Sequence, residues 1–183
     1  MLRFRWSELK QRYALGERQF AYIDLSGLDL SGWNLEDIEL LGVNLQGANL
    51  QGTHLEKAIV KDEFLADCNL YRTNFYRSKL NNSNLINANL KEANFHGALI
   101  ENSQLDNACL ERTDFSEAYL RAVSMKGTRM NKTDLTDSRL VDVNLSAAYI
   151  REIYYSKLTK LCNCFKAESI SDDFFKSTEF MMS

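Results

Sequence analysis

The side chains that could carry chemistry in this chain are few: two histidines, His54 and His96, four cysteines, Cys68, Cys109, Cys162 and Cys164, and the isolated acids Glu63, Asp172 and Asp173. A general base or a metal site needs partners that converge on it. Neither histidine has a carboxylate or thiol at a repeated spacing that would bring one to it. Cys162-Asn163-Cys164 is too tight for an ordinary zinc half-site, and the four cysteines show no disulfide framework, so reduced thiols are expected. Asp172-Asp173, directly after Ser171, reads as the start of a helix and not as a catalytic dyad. With no glycine-rich phosphate loop in the chain, catalysis, a metal and a cofactor are all unexpected, and binding is the class that remains.

What positions these residues is a repeat. From Leu25 to Ile150 every fifth residue is apolar, 26 in succession: eighteen Leu, three Phe, two Ile, two Met and Val60. Against a 45% apolar composition, chance agreement is on the order of one in a billion. Two residues before each of these centres the side chain is small in 21 of the 26 pentads, as at Ala48, Ala88, Thr113 and Ala148, which marks a second inward position. The total absence of proline fits a chain whose backbone is hydrogen-bonded almost throughout.

A period of five suits neither regular element. A helix would rotate successive centres by about 140°, and a strand would alternate them between faces. All centres stay inside only if the chain turns about 90° per pentad, so that four pentads close one square coil and coils stack about 4.8 Å apart. A period of 20 must then appear, and Phe75, Phe95 and Phe115 show it, forming one core ladder on one wall. Seven of the eight glycines fall two residues after a centre, the expected corner. Asn or Asp often precedes the centre, as at Asp24, Asn44, Asn49 and Asn74, where a short polar side chain can bond nearby backbone.

Stretches such as Val43-Asn44-Leu45-Gln46-Gly47-Ala48-Asn49-Leu50-Gln51-Gly52 resemble the A(D/N)LXX signature of the pentapeptide-repeat family over roughly residues 21 to 155. The lead-in Arg12-Tyr13-Ala14-Leu15-Gly16-Glu17-Arg18-Gln19-Phe20 is similar to that of cyanobacterial members. The resemblance implies an all-β solenoid, the right-handed quadrilateral β-helix, here of about 6–7 coils. Bare coil ends would expose apolar cross-sections and unpaired backbone. Residues 1–20 are therefore expected to form an N-terminal capping helix bearing Leu2, Trp6, Leu9 and Tyr13 and stopped at Gly16. The bulky inward residues Ile23, Leu28, Trp33 and Ile38 would fill a flared first coil beneath it. Residues 156–183 are expected to form C-terminal helices, with a stripe of Tyr154, Leu158, Leu161 and Phe165 and a last helix carrying Phe174 and Phe175. The family offers two uses for such a segment, a cap on the last coil or a dimer interface. The cap, and hence a monomer, is the expectation.

Laid out by wall, the residue before the centre is Asn-rich on three walls, but on the fourth it reads Glu39, Ile59, Lys79, Leu99, Tyr119, Arg139. Ile59, Leu99 and Tyr119 should face solvent as one stripe and are a candidate protein contact. Phe64, Tyr71, Arg72, Tyr76, Arg77 and Lys79 fall within one coil and make a second candidate, rich in the Tyr and Arg that dominate hot spots. Glu63 is the one charged residue at the small inward phase. A bulge at Lys61-Asp62-Glu63-Phe64 that swings Glu63 outward, with Phe64 tucked in, would avoid burying its charge.

The resulting expectation is a cytoplasmic, non-enzymatic scaffold that binds a protein of unknown identity. It would neither enter a membrane nor bind nucleic acid directly, because the chain has no long apolar run and no basic face. The alternative implied by the resemblance is the group of family members that mimic duplex DNA, inhibit DNA gyrase and protect it from quinolones. Residues 21–155 hold 19 acidic and 13 basic side chains. That is a mild excess for a mimic of a polyanion.

Overall fold

The structure, a computed structural model, describes residues 2–3 and 6–164. Its elements are β1 (Leu2–Arg3), α1 (Trp6–Ala14), β2 (Gln19–Ala21), β3 (Ile23–Asp24), β4 (Glu39–Leu41), β5 (Ile59–Lys61), β6 (Lys79–Asn81), β7 (Leu99–Glu101), β8 (Tyr119–Arg121), β9 (Arg129–Asp134), β10 (Arg139–Val141), β11 (Tyr149–Tyr154) and β12 (Lys160–Cys162). All pairings are parallel and join residues one circuit apart, so the chain is a β-solenoid of about seven turns. We number its walls from the one centred on Leu25. Walls one to three are joined mainly by isolated bridges, such as Asn44↔Phe64, Asn69↔Asn89 and Asn74↔Asn94. The fourth is a continuous sheet in the order β12-β10-β8-β7-β6-β5-β4-β2.

The corners show why the pentad repeats. Every residue two places after a centre, from Tyr22 to Ala147, has positive φ, glycine or not. From Tyr22 to Gly127 its N–H donates to the carbonyl 19 residues on, as from Gly47 to Ala66 and from Arg72 to Lys91, whereas Asp137 N–H donates to Ser156 Oγ and Asp142 N–H to Cys162 O. Glycine adopts this conformation without strain, whereas Lys57, Arg72 and Glu92 adopt it against their own preference, held by the ladder. Asn and Asp before the centre accept the N–H two residues later, as Asn44 Oδ1 does from Gln46 at 3.1 Å and Asp114 Oδ1 from Ser116 at 2.8 Å. On the fourth wall the residue after the centre instead lies in the sheet ladder. That position needs no side-chain acceptor, which leaves Ile59, Lys79, Leu99 and Tyr119 free to be something other than Asn.

Inside, Phe75, Phe95 and Phe115 stack with ring centroids 4.6 and 5.1 Å apart and planes within 7° and 16°. Apart from Ala93, the small column of the same wall from Thr53 to Thr133 is made of hydroxyls that donate to the coil below: Thr53, Thr73, Thr113 and Thr133 Oγ1 to the carbonyls of Leu30, Leu50, Leu90 and Leu110 at 2.7–2.9 Å. Removing one of these buried bonds in Thr73→Val, which keeps the shape, is expected to lower stability by about 1 kcal/mol in denaturant unfolding. A loss several times larger would mean that the hydroxyl holds the coil geometry itself.

At the N-terminus α1 starts at Trp6, while Leu2 lies in β1, paired with Ile23 of β3. The helix ends in a Schellman arrangement: Gly16 N–H bonds Tyr13 O and Glu17 N–H bonds Arg12 O, with Gly16 at φ 94°. Leu9 is buried on the first coil, and Tyr13 donates its hydroxyl to Glu36 O at 2.9 Å. Ile23 and Ile38 are buried there and Leu28 and Trp33 pack against them.

The helical stripe expected over Tyr154, Leu158 and Leu161 is not formed. The solenoid continues through β11 and β12, and Leu161 pairs with Leu140 as the next buried centre of the fourth wall. One extra residue at the corner around Ser156–Leu158 sets these coils 21 residues apart in place of 20, shown by Thr159 Oγ1 donating to Leu135 O where the other threonines reach back 23 residues. That insertion breaks the pentad phase and imitates a helical spacing. Phe165 and the helix expected around Phe174 and Phe175 lie outside the described residues. Among those described, no helix is long and apolar enough to cross a membrane.

Candidate interaction surface

The fourth wall presents two outward columns. The one before the centres runs Gln19, Glu39, Ile59, Lys79, Leu99, Tyr119, Arg139, Lys160, and the one after them Ala21, Leu41, Lys61, Asn81, Glu101, Arg121, Val141, Cys162. Ile59 is 39% exposed, while Leu99 and Tyr119 are half-buried register partners. The predicted stripe is thus a true column, interrupted only by Lys79, and the Arg139 guanidinium lies over the Tyr119 ring, 5.5 Å from its centroid. Between the columns is a shallow hollow of about 310 Å³ lined by Ile59, Lys61, Lys79, Asn81, Leu99 and Glu101. Lys61 and Arg121 are not among the contact residues expected from the sequence. The missing signal is the after-centre position, whose own period of 20 becomes a face only once the strand is seen to run through it.

The second candidate is dispersed. Phe64 bridges Asn44 and Asn84 on wall one, Tyr71 follows a centre of wall two, Tyr76 follows one of wall three, and Lys79 belongs to wall four. Being within one coil placed them around its circumference and not on one side. The two tyrosines and two arginines are also engaged locally. Arg72 lies 4.9 Å over the Tyr71 ring, and both bond Glu92, Tyr71 Oη at 3.2 Å and Arg72 Nε at 2.8 Å. Tyr76 stacks on His96 at 5.5 Å with Arg77 over its ring at 5.0 Å. Only Phe64 is left as an exposed apolar side chain, half of its surface open.

Glu63 corrects another expectation. It is 1% exposed, in a regular coil with no bulge, while Phe64 points out. On the other walls the N–H of the small inward residue donates to the preceding centre, as from Ala48 to Leu45. At the corner entering wall one, Val43 N–H instead donates to Glu63 Oε1 of the next coil at 3.0 Å, and Ser83 N–H donates to Ser103 Oγ at 3.1 Å. Glu63 thus supplies the acceptor for Val43, as Ser103 does for Ser83. Burial pushes its carboxyl up to about 8, the Val43 N–H draws it down and the negative charge of Asp62 raises it further, so it is held mainly as the neutral acid at pH 7. Its Oε2 has no hydrogen-bond partner among the described residues.

The remaining chemical candidates do not converge. His54 Nδ1 lies 2.9 Å from Glu56 and His96 Nδ1 lies 2.8 Å from Ser116 Oγ, both on the third wall. Cys68 is buried, its Sγ bonded to Leu45 O, and burial pushes the thiol up to about 12. Among the described residues no group of three His, Cys, Asp or Glu is placed to hold a metal ion.

A family model described as pentapeptide repeats matches eight copies over residues 23–62, 68–105 and 100–137, more than half of the chain. No curated protein sequence matches significantly. Among solved structures the chain is similar to HetL, a pentapeptide repeat protein involved in heterocyst differentiation regulation from the cyanobacterium Nostoc sp. strain PCC 7120, at 19% identity and TM-score 0.36 over 88% of this chain and 94% of that one. QnrB1, a plasmid-mediated fluoroquinolone resistance protein, is similar at 14% identity and TM-score 0.34 over 88% and 96%. Rfr23 from the cyanobacterium Cyanothece 51142 is similar at 20% identity and TM-score 0.30 over 88% and 99%.

Proposed function

The chain belongs to the pentapeptide-repeat family, and from that premise we propose that it is a rigid, non-enzymatic scaffold that holds a protein partner on its fourth wall. The observation that carries this is the single continuous parallel sheet with Ile59, Leu99 and Tyr119 facing out of it. Parallel sheets are ordinarily covered on both faces. Here one face is packed on the core and the other carries large apolar groups in register, rimmed by charge. Eight strands at about 4.8 Å make a face roughly 34 Å long. Because each coil is hydrogen-bonded to its neighbours along this length, little order has to be gained on binding.

Mimicry of duplex DNA toward DNA gyrase is the second reading. It would use acidic rows, and the third wall has a short one in Asp114, Glu117, Asp134 and Asp137. In the preceding coils of the same wall Glu36, Asp37 and Glu56 are mixed with His54, Lys57, Arg77 and His96, so no acidic row runs along it, which favours the scaffold.

The test is capture of partners from an extract of the native cell by the immobilised protein and by Leu99→Glu/Tyr119→Glu. Both side chains point away from the core, so the double variant is expected to unfold within a few degrees of the wild type and to lose the captured protein. Retention of every captured protein would remove the fourth wall as the docking face.

A further inference from the structure

Resting on that reading of the fourth wall, we propose that the partner segment it takes is acidic, an apolar side chain flanked by carboxylates, seated in the hollow between Ile59 and Leu99. The wall's charge is opposite in sign to that of the whole protein. Its outward side chains include five bases, Lys61, Lys79, Arg121, Arg139 and Lys160, against Glu39 and Glu101, on a chain of net charge −3. Two of the bases are already occupied, Arg121 by Glu101 at 3.6 Å and Arg139 by the Tyr119 ring. Lys61 and Lys79 line the hollow, are exposed, and make no ion pair with a described residue.

The register specifies how such a segment would sit. Ile59, Lys79 and Leu99 are consecutive in one column, so an exposed lysine stands between two apolar residues, an arrangement in which its methylene stem can cover apolar surface while the ammonium stays in water. The floor of the hollow is apolar, and its rim carries Lys61 and Lys79 together with Asn81 and with Glu101, whose carboxylate is already paired with Arg121. An apolar group of the partner covers the floor, and its neighbouring carboxylates meet the two ammonium groups as water leaves. A nucleic acid fits less well. A phosphate backbone requires rows of cations along its length, and here Glu39 and Glu101 interrupt the face while Asp62 stands at its edge.

The probe is a fluorescent twelve-residue peptide with a central Phe-Leu between two runs of Asp and Glu, compared by anisotropy with the same peptide carrying Ser for every acid, and with a 20-base-pair DNA duplex as competitor. The acidic peptide is expected to bind at least about tenfold more tightly than the Ser version, to weaken with salt, and to lose that preference in Lys61→Glu/Lys79→Glu. Equal binding of the two peptides, an unchanged preference in the lysine variant, or displacement by the duplex with loss in that same variant would each overturn the inference. If the acid preference fails while Leu99→Glu/Tyr119→Glu still abolishes partner capture, the charge assignment falls and the scaffold reading stands. Failure of both removes both.

Discussion

Glu63→Gln is expected to stabilise the protein at pH 7 by roughly 2–3 kcal/mol and to lose that advantage near pH 4.5, a dependence that follows from one buried carboxyl. In the folded protein the group titrates at about 8 against an ordinary value of 4.5. Between those values the folded state holds a proton that the unfolded state releases, so stability is greatest below 4.5 and declines as the pH rises toward 8. At about 1.4 kcal/mol per unit, the loss accumulated by pH 7 is roughly 3 kcal/mol. Glutamine keeps an oxygen for the Val43 N–H and does not ionise. Its amide N–H₂ takes the place of an oxygen that has no partner among the described residues, which offsets part of the gain. Thermal unfolding at several pH values measures this directly. The wild-type midpoint should fall from pH 4.5 to 8 relative to the variant, and the variant should melt roughly 5–10 °C higher at pH 7. Parallel pH profiles for the two proteins would mean that Glu63 is not buried as described.

The second large effect is Phe95→Ala. Phe95 is fully buried and stacks on both Phe75 and Phe115, so truncation removes its own transfer energy and two ring contacts and leaves a cavity that a hydrogen-bonded square coil has little freedom to close. A loss of about 4–5 kcal/mol is expected, with a midpoint lower by roughly 10–15 °C. Phe95→Leu, the residue found at most other centres, should lose less than half as much. Equal losses for the two variants would contradict the stacked ladder.

Much of this was legible from spacing alone, because an unbroken five-residue period admits one chain geometry and a period of 20 sorts residues among walls. Phe75, Phe95 and Phe115 are placed on that basis, and so are Ile59, Leu99 and Tyr119. What spacing does not reveal is where backbone donors are left over. The turn entering wall one frees Val43 N–H, and a buried glutamate one coil later answers it, whereas the sequence alone favours a bulge that keeps the charge out of the core. Nor does a period survive an insertion. One additional residue near Ser156–Leu158 makes Tyr154, Leu158 and Leu161 look helical when they belong to two further strands and the corner between them. The grouping of Tyr71, Tyr76 and Phe64 fails for a simpler reason, since neighbours in a coil's sequence turn a corner every five residues.

These placements make the candidate surface specific. Phe64 and the tyrosines beside Arg72 and Arg77 lie on other walls than Ile59, Leu99 and Tyr119. A protein partner that docks on the sheet must therefore shield one set and spare the other.

Hydroxyl-radical footprinting of the protein with and without its captured partner tests this most directly, because aliphatic and aromatic side chains report their own exposure. Shielding confined to Ile59, Leu99 and Tyr119, with Phe64, Tyr71 and Tyr76 reacting as in the free protein, is the predicted result. Protection of Phe64 or of the Tyr71 and Tyr76 rings, while the three fourth-wall residues stay fully reactive, would contradict it.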